Sequence, residues 1–220
     1  MNKNKSKKFK VTFLLDRTNI WIEKYLLNFK FNLDKKFRFK ISKNHKYIKN
    51  EDIVFILSYT KILPESFLNK NKVNLIAHAS KLPEDRGFAP VQYQVLKGKN
   101  IIDISLLEAA KKVDAGDVYL RDKFKLKKTD LSYEIRKKQA EATFNIIKKF
   151  LKKYPKIKKN KQKGKSNFNK RRYEDSNKLN IYKSLKNQFN ILRVSDNDHY
   201  PAQININNAN YILKIYKKEN

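Results

Sequence analysis

Five consecutive apolar residues, Ile53-Val54-Phe55-Ile56-Leu57, directly follow the carboxylates Glu51 and Asp52. A run of this length is a strand rather than a helix, and with no polar residue on either side of the pleat it must be buried on both faces. Such a strand needs strands beside it and covering layers above and below. The flanking sequence supplies them. Phe9 to Leu15 is a β-prone first strand, and Asp16-Arg17-Thr18-Asn19 follows with helix-capping residues. Apolar residues at 20, 21, 22, 25, 26, 27 and 29 predict a helix over Ile20 to Phe29. Phe37 to Ile41 alternates with the period of a strand. Pro64 opens a short helix through Leu68, and Val73 to Ala77 is a further buried strand that runs straight into His78.

The second half continues the pattern. Phe88 to Leu96 reads as a helix stopped by Gly98, Ile101 to Leu107 as a strand, and Val118 to Leu126 as an extended segment. Thr129 or Asp130 caps a long helix to about Lys153, which Pro155 ends. A helix over about Ile181 to Val194 and a hairpin pairing Gln203–Ile206 with Tyr211–Tyr216 close the chain. The expected fold is α/β: a Rossmann-like, doubly wound, mostly parallel sheet, then the long helix and a small C-terminal helix–hairpin appendage. We divide it into a sheet-bearing unit with its closing helix, 1–153, and a basic linker with the appendage, 154–220. In such sheets ligands bind beyond the carboxyl ends of the strands, which is where His78 stands.

Composition excludes several functions. There is no cysteine, and the three histidines (45, 78 and 199) are scattered, so no metal site is expected. Of only four glycines, none follows the first strand, so neither a dinucleotide fingerprint nor a Walker-type phosphate loop is present. No apolar run approaches the roughly 20 residues that span a bilayer, and we place the chain in the cytoplasm with no membrane partner. The net charge is +31. It would suit a nucleic-acid partner, but lysine, asparagine and isoleucine are abundant throughout and arginine is scarce, so we read the charge as a composition bias. Lys152 to Arg172 holds eleven basic residues and no acidic one, and is read as a solvated linker.

Two loops concentrate the chemistry. The first is His78-Ala79-Ser80-Lys81-Leu82-Pro83-Glu84-Asp85-Arg86-Gly87; the second is Val113-Asp114-Ala115-Gly116-Asp117. A histidine and a carboxylate in Gly-containing turns are the minimum for general acid–base work. The first loop resembles the His-x-Ser-x-Leu-Pro-x-x-Arg-Gly segment of the folate-dependent formyltransferases, and Asp114 to Asp117 is similar to their Asp-x-Gly-Asp turn. Ser58 to Pro64 looks like the strand-to-helix turn before the active-site strand. Gln162-Lys163-Gly164 and Arg171 to Ser176 look like the segment that returns to the active site. The resemblance covers roughly residues 50 to 201.

The resemblance implies transfer of a formyl group from N10-formyltetrahydrofolate to a primary amine. It implies His78 and Asp114 as catalytic residues, and Ser80, Leu82, Pro83, Arg86, Gly87, Gly116 and Asp117 as the folate-binding set. An imidazole can take the surplus proton of the attacking amine, and a neighbouring carboxylate favours the imidazolium. Asp117 is expected to hold its loop by bonding backbone N–H groups. Arg86 either pairs with Asp85 or Glu84 or orders the loop. Where the family carries an asparagine two residues before the histidine, this chain has Ile76; Asn74, two residues further back, is either a substitute or a structural residue. Trp21 is read as core, and His45 and His199 as surface. The small-molecule acceptor implied is a nucleotide-linked amino sugar, because the residues after Tyr173 spell a helix and hairpin rather than a five-stranded barrel. The alternatives are methionyl-tRNA as acceptor, or a catalytically impaired formyltransferase-like binding protein. A homodimer is left open.

Overall fold

A computed structural model describes residues 8–28 and 36–218. In chain order the elements are β1 (Phe9–Leu15), α1 (Glu23–Asn28), β2 (Phe37–Ser42), β3 (Ile53–Leu57), α2 (Glu65–Leu68), β4 (Val73–His78), β5 (Arg86–Gly87) and α3 (Pro90–Leu96). Then follow β6 (Ile101–Glu108), β7 (Val118–Lys125), α4 (Ser132–Lys153), β8 (Phe168–Asn169), α5 (Leu185–Val194), β9 (Ala202–Ile206) and β10 (Ala209–Leu213). Short 3-10 turns at His45–Tyr47 and Glu174–Asn177 complete the set.

Six strands form the main sheet in the order β2-β1-β3-β4-β6-β7. The first four run parallel; β6 is antiparallel to β4 and to β7. β3 is buried at every position, as its unbroken apolar run requires. β4 is central and ends on His78, which pairs with Ser105 of β6. One face packs under α1 and α4 in a core that includes Phe13, Phe55, Leu75, Ile104, Phe144 and Phe150. The other face carries Phe67 of α2 on Leu14, Val54 and Ile56, and Leu82 on Leu107 and Val118.

Several boundaries differ from expectation for local reasons. The first helix starts only at Glu23, and Phe29, its expected end, lies outside the described residues. At the start of α4 neither Thr129 nor Asp130 is the cap. Leu131 holds that position and its N–H donates to the Glu134 carboxylate (2.8 Å), while the Asp130 carboxylate accepts from Lys127 N (2.7 Å) in the preceding turn. Lys152 and Lys153 in the last turn of α4 oppose the negative end of the helix dipole. α5 begins at Leu185 behind Ser184, whose side chain accepts from Asn187 N, so 181–183 form a turn instead. The hairpin closes on two residues rather than four: Asn207 and Asn208 take φ of 51° and 63°, the left-handed pair a tight two-residue turn needs.

The helix–hairpin region is anchored to the body by Arg193, which is buried. Its guanidinium donates to the carbonyls of Lys127 (2.8 Å) and Asp130 (3.1 Å) and to Asn100 Oδ1 (3.0 Å). Among the described residues no helix is long and apolar enough to cross a membrane. Trp21 is half-buried against the main core under the Arg136 guanidinium. His199 is exposed, whereas His45 is half-buried, with Nδ1 2.9 Å from the Tyr59 hydroxyl and its ring edge-on to Phe67.

Candidate active site

The chain leaves β4 at His78 and turns back across the sheet. Ser80 fixes the turn: its hydroxyl donates to Glu84 O (2.7 Å), and its carbonyl accepts from Ser105 Oγ (2.7 Å). Leu82 and Pro83 are buried, and Arg121 donates to Leu82 O (2.6 Å). Gln94 of α3, buried, clasps the same loop by donating to Ala79 O (2.7 Å). The side chains of Ser80 and Leu82 are therefore spent on shaping the loop.

His78 is 7% exposed, with both ring nitrogens beside oxygens. Nε2 lies 2.8 Å from the carbonyl of Asp85, and Nδ1 lies 3.5 Å from Asp114 Oδ2. Asp114 has a left-handed backbone (φ 50°) and is itself buried. The same Oδ2 accepts from Gly87 N (2.9 Å), which fixes it beside the ring. The sequence-read pair is thus brought together by two loops that are 36 residues apart along the chain.

The two glycines are required for different reasons. At Gly87, φ is +90°, and a Cβ would sit 2.6 Å from Asn169 O. At Gly116 the constraint is space alone, because a Cβ would stand 1.9 Å from Glu108 O. Asp117 holds the turn through its carbonyl, which accepts from Glu108 N (2.8 Å), and not through its carboxylate; among the described residues that side chain makes no hydrogen bond.

Arg86 pairs with neither Asp85 nor Glu84. Its guanidinium donates to Gln162 Oε1 (2.6 Å), and Gln162 Nε2 donates in turn to Asp114 O and Gly116 O, both at 2.8 Å. One glutamine thus ties both loops together. The Arg86 Nε is buried with no partner, a donor left over at this site. The stretch read as a solvated linker is the source of these bonds. It pairs with Val118 through Asn160, delivers Gln162, and lays β8 parallel to β5. Asn167 and Asn169 both donate to Asp85 Oδ1 (3.1 and 3.2 Å). Only the resemblance of Gln162–Gly164 and of Arg171–Ser176 hinted at this return; Asn167, Asn169 and Gln94 carried no signal of their own.

Asn74 is structural. It is buried, donates to Leu68 O (2.8 Å), accepts from Asn71 Nδ2 (3.3 Å), and lines a cleft between α2 and residues 108–111 that does not include His78. Ile76 packs on Leu82 and Leu107, so it gives the site an apolar floor and no donor. At the ends of β1 and β3 the buried Asp16 joins two loops, accepting from Thr18 and Asn19 and from Thr60 N (2.8 Å) and Oγ1 (2.6 Å). Burial alone would raise its carboxyl, but these hydrogen bonds win and hold it far below the usual carboxylate range.

A mostly parallel open sheet with an imidazole and a carboxylate 3.5 Å apart at a central strand's carboxyl end defines a Rossmann-like α/β protein, a class in which ligands generally bind at that end of the sheet. Residues 11–151 match the family model described as formyl transferase, and the chain belongs to that family. A methionyl-tRNA formyltransferase from Sulfurihydrogenibium is 34% identical over 148 residues, which is 66% of this chain and 48% of that protein. The chain therefore spans about half the length of this relative. Among solved structures, a methionyl-tRNA formyltransferase from Clostridium thermocellum superposes with a TM-score of 0.80 at 18% identity, covering 97% of this chain and 94% of that one. A 4-N formyltransferase from Francisella tularensis gives 0.72 at 13% identity, covering 96% and 98%. The last two likenesses are of fold.

Proposed function

We propose that the protein is a folate-dependent N-formyltransferase acting on a primary amine, with His78 as the group that moves the proton and Asp114 as its charge partner. The observation that carries this reading is the placement of Asp114 Oδ2 3.5 Å from His78 Nδ1, on loops that resemble the family's motifs. The donor set suits N10-formyltetrahydrofolate: an imidazole for the proton, and the unpartnered Arg86 Nε in the same loop as a spare donor for ligand. The folate supplies an activated formyl group. With that donor bound, His78 would take the proton of the attacking amine and return it to the leaving nitrogen of the donor. Asp114 stabilises the imidazolium between these two events. Ser80, Leu82, Pro83, Gly87 and Gly116 shape the folate-facing walls, contributing backbone rather than side-chain contacts.

For the acceptor we favour a nucleotide-linked amino sugar. Phe88, next to Gly87, exposes its ring beside the Arg171 guanidinium (5.9 Å to the centroid), and Arg172 lies over Tyr93 (5.7 Å). Flat faces with a few cations suit a base and a diphosphate. A tRNA acceptor is the second reading, favoured by the methionyl-tRNA formyltransferases among the relatives and by the exposed lysines after α4. Incubation with N10-formyltetrahydrofolate and a panel of nucleotide-linked amino sugars, with methionylated initiator tRNA in parallel, decides between them. The product expected gains the mass of one carbonyl group on a sugar amine. Formylation of the tRNA alone, with affinity falling steeply with salt, would replace the sugar reading.

A further inference from the structure

We propose that Asp85 is a positioning residue for His78: its main-chain carbonyl keeps the proton on Nε2 and so makes Nδ1 the nitrogen that exchanges protons with substrate. This rests on the reading of His78 given above. A carbonyl oxygen can only accept, so the 2.8 Å contact to Nε2 is a hydrogen bond only when Nε2 carries hydrogen. The neutral ring then has its lone pair on Nδ1. That nitrogen is the one 3.5 Å from Asp114 Oδ2, so a proton arriving there lands beside a carboxylate.

The carbonyl does not point at the ring by default. Residue 85 is in the left-handed region (φ 53°), which L-residues other than glycine adopt at a cost and asparagine and aspartate tolerate best. Its side chain holds it there. The buried carboxylate Oδ1 accepts from Lys97 Nζ at 2.9 Å, Asn167 Nδ2 at 3.1 Å and Asn169 Nδ2 at 3.2 Å, while Asp85 N donates to Asn167 Oδ1 at 2.9 Å. The clamp draws on the end of α3 and on the returning segment, which also bonds Arg86 N and Phe88 N. Burial on its own would raise the Asp85 carboxyl, but the bonds from Lys97 and Asn167 hold it below the usual range, so the clamp stays charged. Neither part of the clamp touches the ring; each acts on it through one carbonyl.

The test reads the ring directly. Protein labelled with 15N-histidine has three imidazoles, and His45→Gln and His199→Gln assign the third as His78. Recorded at a pH where the ring carries one proton, two-bond 15N–1H correlation spectra should show that proton on Nε2 and a bare Nδ1. In Asp85→Ala and Asp85→Asn the signature should move towards a mixture of tautomers, with kcat falling about tenfold or more and KM little changed. In a His78→Ala background the same substitutions should change the residual rate by less than about twofold, as expected of groups acting as one unit. A wild-type ring protonated on Nδ1 would overturn the proposal, as would variants that lose activity only in step with folded population while the tautomer stays fixed. The spectra need no turnover. A fixed Nε2–H ring in a protein that formylates nothing would refute the function and leave the positioning intact.

Discussion

Under β4, Phe150 of α4 meets Phe55 and Tyr119 edge-to-face with centroids 6.0 and 5.2 Å apart. Above the same strand, Asp85, Asn167, Asn169, Gln162 and Arg86 hold three chain segments together through side-chain hydrogen bonds. The lower region is held by area removed from water, which is non-directional and tolerant of small shifts. The upper region is held by a few directional bonds, each of which fixes an atom near the ring and leaves a costly orphan if broken. Stability should therefore be lost mainly from below and activity mainly from above.

The largest effect should come from the ring. His78→Ala is expected to cost about 10²–10⁴ in turnover while the melting temperature stays close to wild type. Asp114→Asn should behave similarly through loss of charge beside Nδ1. Single-turnover formylation beside a thermal melt checks both; a comparable loss of stability would erase the contrast between the regions. Phe150→Ala should do the reverse, costing about 3–5 kcal/mol by urea unfolding. The residual folded fraction should keep its rate per active site, and a rate loss beyond the folded fraction would tie the core to chemistry.

Gln162→Ala tests the seam between the regions. It leaves Asp114 O and Gly116 O without their donor and Arg86 with one partner fewer, so about 1–3 kcal/mol should be lost together with part of the rate. A change in stability alone would place the glutamine with the core. The smallest effect is on pH. The carboxyl of Asp16 is lowered in the folded chain, so its stabilisation is complete above the unfolded value of about 3.9 and is lost as pH falls through the folded value. Acid unfolding of Asp16→Asn should be less steep below about pH 4 than that of wild type. Equal steepness would mean that Asp85, Asp52, Asp122 and Asp196, all likewise lowered, dominate the acid limb.

The apolar runs and their spacing determined the strands and the long helix, because burial is a property that local residue pattern carries. The His78 loop and the Asp114 turn were legible through the family resemblance, because each is a contiguous loop with its own glycine. Tertiary structure alone decided that β6 runs antiparallel to β4, since an apolar run carries no direction. It decided too that Asn74 serves α2 rather than the site, and that the lysine-rich stretch read as a linker supplies Asn167 and Asn169, the return of Gln162 alone being implied by the family resemblance. A side-chain amide has no periodicity and pairs with whatever the fold brings within 3 Å or so, so its partner 76 to 84 residues away is set by the fold and not by its neighbours in sequence.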